Sequence, residues 1–439
     1  MTRSLPTGQK TRWRGYLLKI LLALLSVVVA LGLSELIVRL IFSPPTRMQF
    51  VPDPIVGFRH APNQRVWMTN EAQEFGVWFT TNSQGDPDIE RSVDKPEGVY
   101  RIAVIGDSIA EATQVRQEER FTSLLEWQLT EWSQRRLSSI QQVEVLNFGT
   151  SSYGTAQEWL YYQSHVRNYD PDMVLLVFLP GNDIRNNSFQ LEIARAGRSE
   201  IMPFFSLSEA DELILKNKQF YANAVEKYTK STSNTTGLRD VYKKVRDQVR
   251  LIGIIHQAYA EMRARANGES GLSDQAKREL NVNLELFNPE VQQKSDEWQQ
   301  AWELTGAILS QFAQDVVNDG AEFYVIVASG PLEVNEETRE IVLQMVFQGD
   351  ESAEYDWRLP HSLTEAMLTR YGLSYTNLFP AIETASREHT EPMHFIRDGH
   401  YTPAGHRVVA AELLPVVQSY ISNFEDSRLD ASIDNSPTR

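Results

Sequence analysis

Residues 101–108 read RIAVIGDS, an apolar run closed by Gly106-Asp107-Ser108. A run apolar at successive positions, rather than at alternate ones, is what a strand buried on both faces of a parallel sheet requires. The stretches VEVLNFG (143–149), MVLLVFLPG (173–181) and AEFYVIVASG (321–330) repeat the pattern, and LSYTNL (373–378) is a weaker fifth. Helical signals lie between them. Phe121, Leu124, Leu125, Gln128 and Leu129 recur near a 3.6-residue period, and TAQEWLYYQSHV (155–166) reads as a second helix. Thr402-Pro403 opens a last helix reaching about Ile421, with Thr as its cap and Pro in its first turn. Strands alternating with helices predict an α/β domain over 100–423, with a central parallel sheet covered on both faces.

One connection is far longer than a crossover needs. Between Gly181 and Ala321, residues from Val241 through Val245, Val249 and Ile252 to Met262 keep one helical stripe. Trp298, Trp302, Thr305, Ile308 and Phe312 keep another, which reads as the crossover helix itself, its tryptophans in core packing rather than in a sugar cleft. The segment 188–292 therefore reads as a mostly helical insertion. Residues 43–99 read as a small juxtamembrane accessory segment with short β-like pieces such as VWFTT (77–81), and 424–439 as a polar, disordered tail.

The N-terminus has a different character. YLLKILLALLSVVVALGLS (16–34) carries one charge, Lys19, and approaches the length that spans a bilayer. Basic residues precede it, which places a basic tail (1–15) in the cytoplasm, an anchor over 16–42, and the body outside the membrane. A cleaved signal peptide is the competing reading, with Ala30-Leu31-Gly32 near a cleavage pattern and a secreted product. The chain of 439 residues holds 42 Lys and Arg against 58 Asp and Glu, for a net charge of −16. A body this acidic repels phosphate backbones, so no nucleic acid is expected as a partner. There is no cysteine, which excludes disulfides, thiolate metal sites and a Cys nucleophile.

In an open α/β sheet, ligands bind beyond the carboxyl ends of the strands. Four sequence blocks arrive there: Gly106-Asp107-Ser108 after the first strand, Asn147 to Gly154 after the second, Gly181-Asn182-Asp183 after the third, and Asp398-Gly399-His400 before the last helix. Alone, Gly-Asp-Ser is an ordinary turn. Together the blocks supply a hydroxyl, backbone N–H groups, a side-chain amide and an Asp/His pair, the parts acyl transfer requires. His60, His165, His256, His361, His389, His394 and His406 show no metal-ligand spacing and read as packing or surface residues. No phosphate-binding glycine motif follows the first strand, and neither metal nor cofactor is expected.

As a set, the blocks resemble those of the GDSL/SGNH hydrolase superfamily, over roughly 101–182 and 296–421. The resemblance implies a flavodoxin-like three-layer sandwich. It also implies that Ser108 is the nucleophile and an oxyanion donor through its N–H, that Asn182 donates its amide to the same oxygen, and that His400 is the base oriented by Asp398. Two positions depart from the family pattern. Ser152 stands where Gly is usual, with Gly149 as the fallback oxyanion donor. Only Gly399 separates Asp398 from His400, a spacing shared with the similar alginate-type O-acetyltransferase domains.

Three functions follow from this reading. The first is an extracytoplasmic serine esterase acting on acyl, in particular O-acetyl, esters. The second is an O-acyltransferase of cell-surface polysaccharide, and the third a non-catalytic envelope binding protein on the same scaffold. The expected partner is an ester-bearing small molecule or a cell-surface polysaccharide; oligomeric state is not legible.

Overall fold

The computed structural model describes residues 7–41, 48–70, 72–196, 201–229, 274–347 and 354–434. The stripe from Val241 to Met262 and the last residues, 435–439, lie outside these.

A helix of 35 residues, Thr7–Ile41, opens the chain. Within it Tyr16–Val38, 23 residues of mean hydropathy 2.6, is long and apolar enough to cross a membrane or to serve as a signal sequence. Its leucines and Val27, Val28 and Val29 are exposed. Ser26 returns its hydroxyl to the Leu22 carbonyl at 2.8 Å, so this polar side chain is satisfied within the helix.

The body begins with two antiparallel hairpins, β1 (Phe50–Asp53) with β2 (Gly57–His60) and β3 (Arg65–Thr69) with β4 (Gly76–Thr80). The central sheet follows: β5 (Val99–Gly106), β6 (Gln142–Gly149) and β7 (Met173–Phe178). After a small hairpin of β8 (Phe205–Leu207) and β9 (Leu213–Leu215), the sheet is completed by β10 (Glu322–Val327) and β11 (Tyr375–Asn377). The order is β11-β10-β7-β5-β6, and all four pairings are parallel. In the sheet's own numbering this is 2-1-3-4-5, the flavodoxin-like winding.

Alternate residues of each strand face opposite layers. Ala103 and Ile105 join Leu146, Val174, Leu176 and Val325 beneath the helices Thr155–Ser164 and Asp296–Asn318. Ile102 and Val104 join Val143, Val145, Leu175 and Ile326 beneath Phe121–Arg136 and Pro403–Asp434. Each fully buried Val, Ile or Leu contributes about 1.5–3 kcal/mol relative to exposure, so the two-sided burial inferred from RIAVIG drives the layering. Trp298 is buried in the first layer, its indole N–H donating to Glu285 at 2.9 Å, while Trp302 packs against the same core and donates to Gln292 at 2.8 Å.

Two boundaries differ from those expected. Residues 48–99 are not a detachable lead-in, since Val56, Phe58 and Phe79 are core residues and Tyr153 Oη donates to the Phe58 carbonyl at 2.5 Å. The described part of the insertion holds the helices Phe220–Thr229 and Asp274–Glu285 and, among them, the β8/β9 hairpin. The tail is helical through Asp434. Charge pattern suggested solvation there, but Glu425 turns inward. It accepts the Ser138 N–H, the Ser138 hydroxyl and the Ser139 N–H, each at 2.8 Å, and also the Ser139 hydroxyl.

Replacing Glu425 with Ala removes four hydrogen bonds to a partly exposed corner, where water can take up the freed donors, and is expected to destabilise the body by about 1–2 kcal/mol. Denaturant unfolding of the variant against the parent protein measures this. A change below 0.5 kcal/mol, about that of an ordinary surface substitution, would show that the extension of the helix past Ile421 is not held by this contact.

Candidate active site

The sheet's switch point lies between β5 and β7, whose chains wind off in opposite directions and leave a crevice at their carboxyl ends. Ser108 stands at the end of β5, as the first residue of the helical turn Ser108–Glu111. Asp107 caps that turn, its Oδ1 accepting the Ile109 N–H at 2.8 Å. Asn182 sits in the first turn of the helix Pro180–Asn187, directly after β7. Its amide nitrogen donates to Asp107 Oδ2 at 2.7 Å, closing the crevice floor.

His400 reaches the same point from the loop before the last helix. Its Nε2 lies 2.7 Å from Ser108 Oγ, and its Nδ1 lies 2.6 Å from Asp398 Oδ1. The single spacer is explained by the backbone. Gly399 has φ +87°, a left-handed conformation that turns the chain sharply enough for an aspartate to reach the ring two residues on. Hydrogen bonds across the loop hold this turn: Gly399 N–H to the Phe395 carbonyl at 2.8 Å and Phe395 N–H to the His400 carbonyl at 2.9 Å. Burial opposes protonation of His400. The hydrogen bond and charge of Asp398, with Asp107 and Glu111 further off, outweigh it and hold the imidazole pKa above its ordinary value of 6.5.

The second block behaves differently at its two candidate positions. Gly149 does not supply a free donor, because its N–H is bonded to Asn147 Oδ1 at 2.9 Å. Its glycine identity has another cause: a Cβ there would come within 2.2 Å of the Glu111 nitrogen, so it permits the Ser108–Glu111 turn to pack against β6. Ser152 has φ +68°, the left-handed region where a Cβ costs about 1–2 kcal/mol. Such a conformation persists only where its surroundings impose it. Glu111 does so here, accepting the N–H of the neighbouring Ser151 at 3.1 Å and its hydroxyl as well. Glu111 is itself buried, with His60 of β2 in contact at 2.9 Å but out of line for a hydrogen bond.

The hairpin segment also reaches the Asp/His loop. Glu74, between β3 and β4, accepts the N–H of Arg397 at 3.0 Å and of Asp398 at 3.1 Å, and Phe75 packs on Phe395 at 5.1 Å. Sequence reading missed Glu74, Glu111 and His60 as parts of the site. A carboxylate that binds backbone N–H groups together with a scattered hydroxyl or amide leaves no motif of fixed spacing.

The remaining polar residues organise the loops. Asp183 accepts the Leu179 N–H at 2.7 Å and the Thr155 hydroxyl at 3.1 Å. Burial pushes the carboxyls of Asp107, Asp183 and Glu158 upward. His394 and His406 pack as expected, but in the interior: burial pushes them down to about 4 and about 3, so both are neutral imidazoles near pH 7. Among the described residues, no group of three or more His, Asp or Glu side chains is placed to hold a metal ion.

No family model and no curated protein matches the chain. Several solved structures do. An alpha/beta hydrolase enzyme from the metagenome of Lake Arreo, Spain, is 12% identical, with 72% of this chain and 93% of that one covered, at a TM-score of 0.34. A lipase/acylhydrolase from Enterococcus faecalis is 11% identical, with 73% and 96% covered and a TM-score of 0.34. An acetyl xylan esterase from Geobacillus stearothermophilus is 11% identical, with 71% and 91% covered and a TM-score of 0.32. All three are hydrolases by description. At these scores they add nothing to the strand order and side-chain distances already described.

Gly399→Ala forces a Cβ into the left-handed region and is expected to cost about 1–2 kcal/mol of stability. The variant is also expected to broaden or lose the downfield Nδ1–H proton resonance of His400, which unfolding and proton NMR experiments read together. An undisturbed resonance would show that the turn does not set the Asp398–His400 contact.

Proposed function

We propose that this protein is a serine ester hydrolase of SGNH type, in which Ser108 forms an acyl intermediate. The observation that carries the reading is the unbroken contact from Ser108 Oγ through His400 to Asp398, at 2.7 and 2.6 Å, set at the sheet's switch point. A serine hydroxyl is a weak nucleophile until an imidazole accepts its proton, and a carboxylate on the far ring nitrogen fixes the tautomer that can do so.

In the proposed reaction, Ser108 Oγ attacks the ester carbonyl and its proton passes to His400 Nε2. The tetrahedral oxyanion lies against the Ser108 N–H, the Asn182 amide and the Ser152 N–H. The imidazolium then returns the proton to the leaving alkoxide as the C–O bond breaks. Water, deprotonated by His400, attacks the acyl-serine, and the acid and free Ser108 result. Each oxyanion donor contributes roughly 3–4 kcal/mol in comparable sites.

Location belongs to the same proposal. Lys10, Arg12 and Arg14 precede the apolar helix, which supports a cytoplasmic N-terminus and a body on the outer side, anchored to the membrane. Substrates there include acylated, and first of all O-acetylated, small molecules and surface polysaccharides.

The full chain in detergent is expected to hydrolyse p-nitrophenyl acetate and to carry an acetyl adduct by intact mass. Ser108→Ala is expected to lose both, with turnover falling by roughly four to six orders of magnitude. Folded parent protein with neither turnover nor adduct would overturn the esterase reading and favour a binding role. Acetyl transfer to an added oligosaccharide, at the expense of free acetate, would redirect the reading to an acyltransferase.

The pH dependence follows from His400. Its pKa is raised, so the neutral base is lost as pH falls, and kcat/KM is expected to drop through an inflection above 6.5. Asp398→Asn removes the raising charge. It is expected to shift the inflection downward and to cut kcat by about four orders of magnitude. An unshifted inflection in a variant with residual activity would assign the titration to another group.

A further inference from the structure

Asn182 is held from both ends. Its nitrogen donates to Asp107 Oδ2 at 2.7 Å, and its oxygen accepts from Arg185 Nη2 at 3.0 Å. A carboxylate on one side and a guanidinium on the other leave a single orientation of the amide, because a flip would set donor against donor and acceptor against acceptor. One amide N–H is taken by Asp107. The second is left for a ligand.

Arg185 is an unusual group to find there. It is 5% exposed, and its close contacts are neutral: Asn182, Asn186 at 3.2 Å, and Asn283 of the helix Asp274–Glu285. The nearest carboxylate is Glu192 at 3.8 Å, which Arg195 already engages through two hydrogen bonds of 2.9 and 2.5 Å. A buried guanidinium is costly unless its charge is matched. Here its direct hydrogen bonds are to amide oxygens, with the carboxylates of Glu192, Glu279 and Asp107 acting at longer range, so the Asn182 oxygen takes a direct share of the charge.

We infer that Arg185 is a positioning and polarising residue for the oxyanion site. It locks the Asn182 amide in the donating orientation and strengthens its free N–H when negative charge develops on the substrate oxygen. Hydrogen bonding to an amide oxygen draws electron density from its nitrogen, and such chains reinforce one another in a low-dielectric site. The charge also offsets Asp107, which borders the same oxygen through the backbone of Ser108. Asn283 gives the insertion a part in the site, by completing the cradle of the guanidinium. The inference rests on the serine hydrolase reading.

The test uses the full chain in detergent, with Arg185→Gln, Arg185→Lys and Asn283→Ala beside the parent protein. Two rates are read: p-nitrophenyl acetate turnover, and phosphonylation of Ser108 by a fluorophosphonate, whose phosphoryl oxygen needs the same donors. Arg185→Gln is expected to lower kcat and the phosphonylation rate together by roughly 10–100-fold, with KM within about twofold, because the interaction strengthens only in the transition state. Arg185→Lys, which keeps the charge but not the fork, is expected to recover at least a third of the lost logarithm. Asn283→Ala is expected to lower both rates about three- to tenfold, and carries the test with Arg185→Lys if the glutamine variant does not fold.

Folded variants with unchanged kcat would overturn the inference. So would a lysine variant no better than glutamine, which would mark a purely structural role. A parent protein that neither turns over ester nor reacts at Ser108, with Ser108→Ala as control, would overturn the hydrolase reading itself and this inference with it.

Discussion

The hydrogen bond from Asn182 to Asp107 spans the place in the sheet where the winding reverses, β5 leading to β6 on one side and β7 to β10 on the other. Everything at the site is referred to it. Asp107 caps the turn that presents Ser108, and Asn182 opens the helix that follows β7. Joining them fixes Ser108 against the Asn182 amide. A crevice at a switch point is a product of winding order, so this pairing depends on topology more than on any single loop.

The strands of the central sheet were legible because two-sided burial writes itself as a continuous apolar run. RIAVIG, VEVLNFG and MVLLVF sit where that rule puts them, and so does the crossover helix with Trp298. Short hairpins were less legible. FVPD, GFRH and the FSL and LIL strands are three or four residues long, too short to show a period. Their burial comes from tertiary contacts, such as that of Phe58 with Tyr153. The tail misled for the opposite reason. Its charges suggested solvent, yet Glu425 binds the Ser138–Ser139 corner 286 positions upstream in the chain.

At the site, side chains that bond side chains were readable, and those that bond backbone were not. Ser108, His400 and Asp398 announce themselves by type and order. Glu74 and Glu111 act on N–H groups of Asp398 and Ser151, which any sequence offers. Ser152 combines both cases. The unusual residue was visible, but its left-handed backbone, and the buried carboxylate that steadies its neighbour, required coordinates. Gly149 shows that a glycine near a site need not donate; it is small because Glu111 passes over it.

The hairpins of residues 50–80 bear on where the folded body starts. Counting strands of the parallel sheet would place that start at Val99, and sequence pattern alone marks residues 43–99 as a small accessory segment. Yet β2 sends His60 against Glu111, and the β3–β4 connection sends Glu74 to the Asp398 backbone. The segment that leads away from the apolar helix is thus also a wall of the chemical site. Lead-in and candidate site share one stretch of chain. A truncation from the N-terminal side has room only ahead of Phe50, because removing the hairpins removes part of the candidate site's wall.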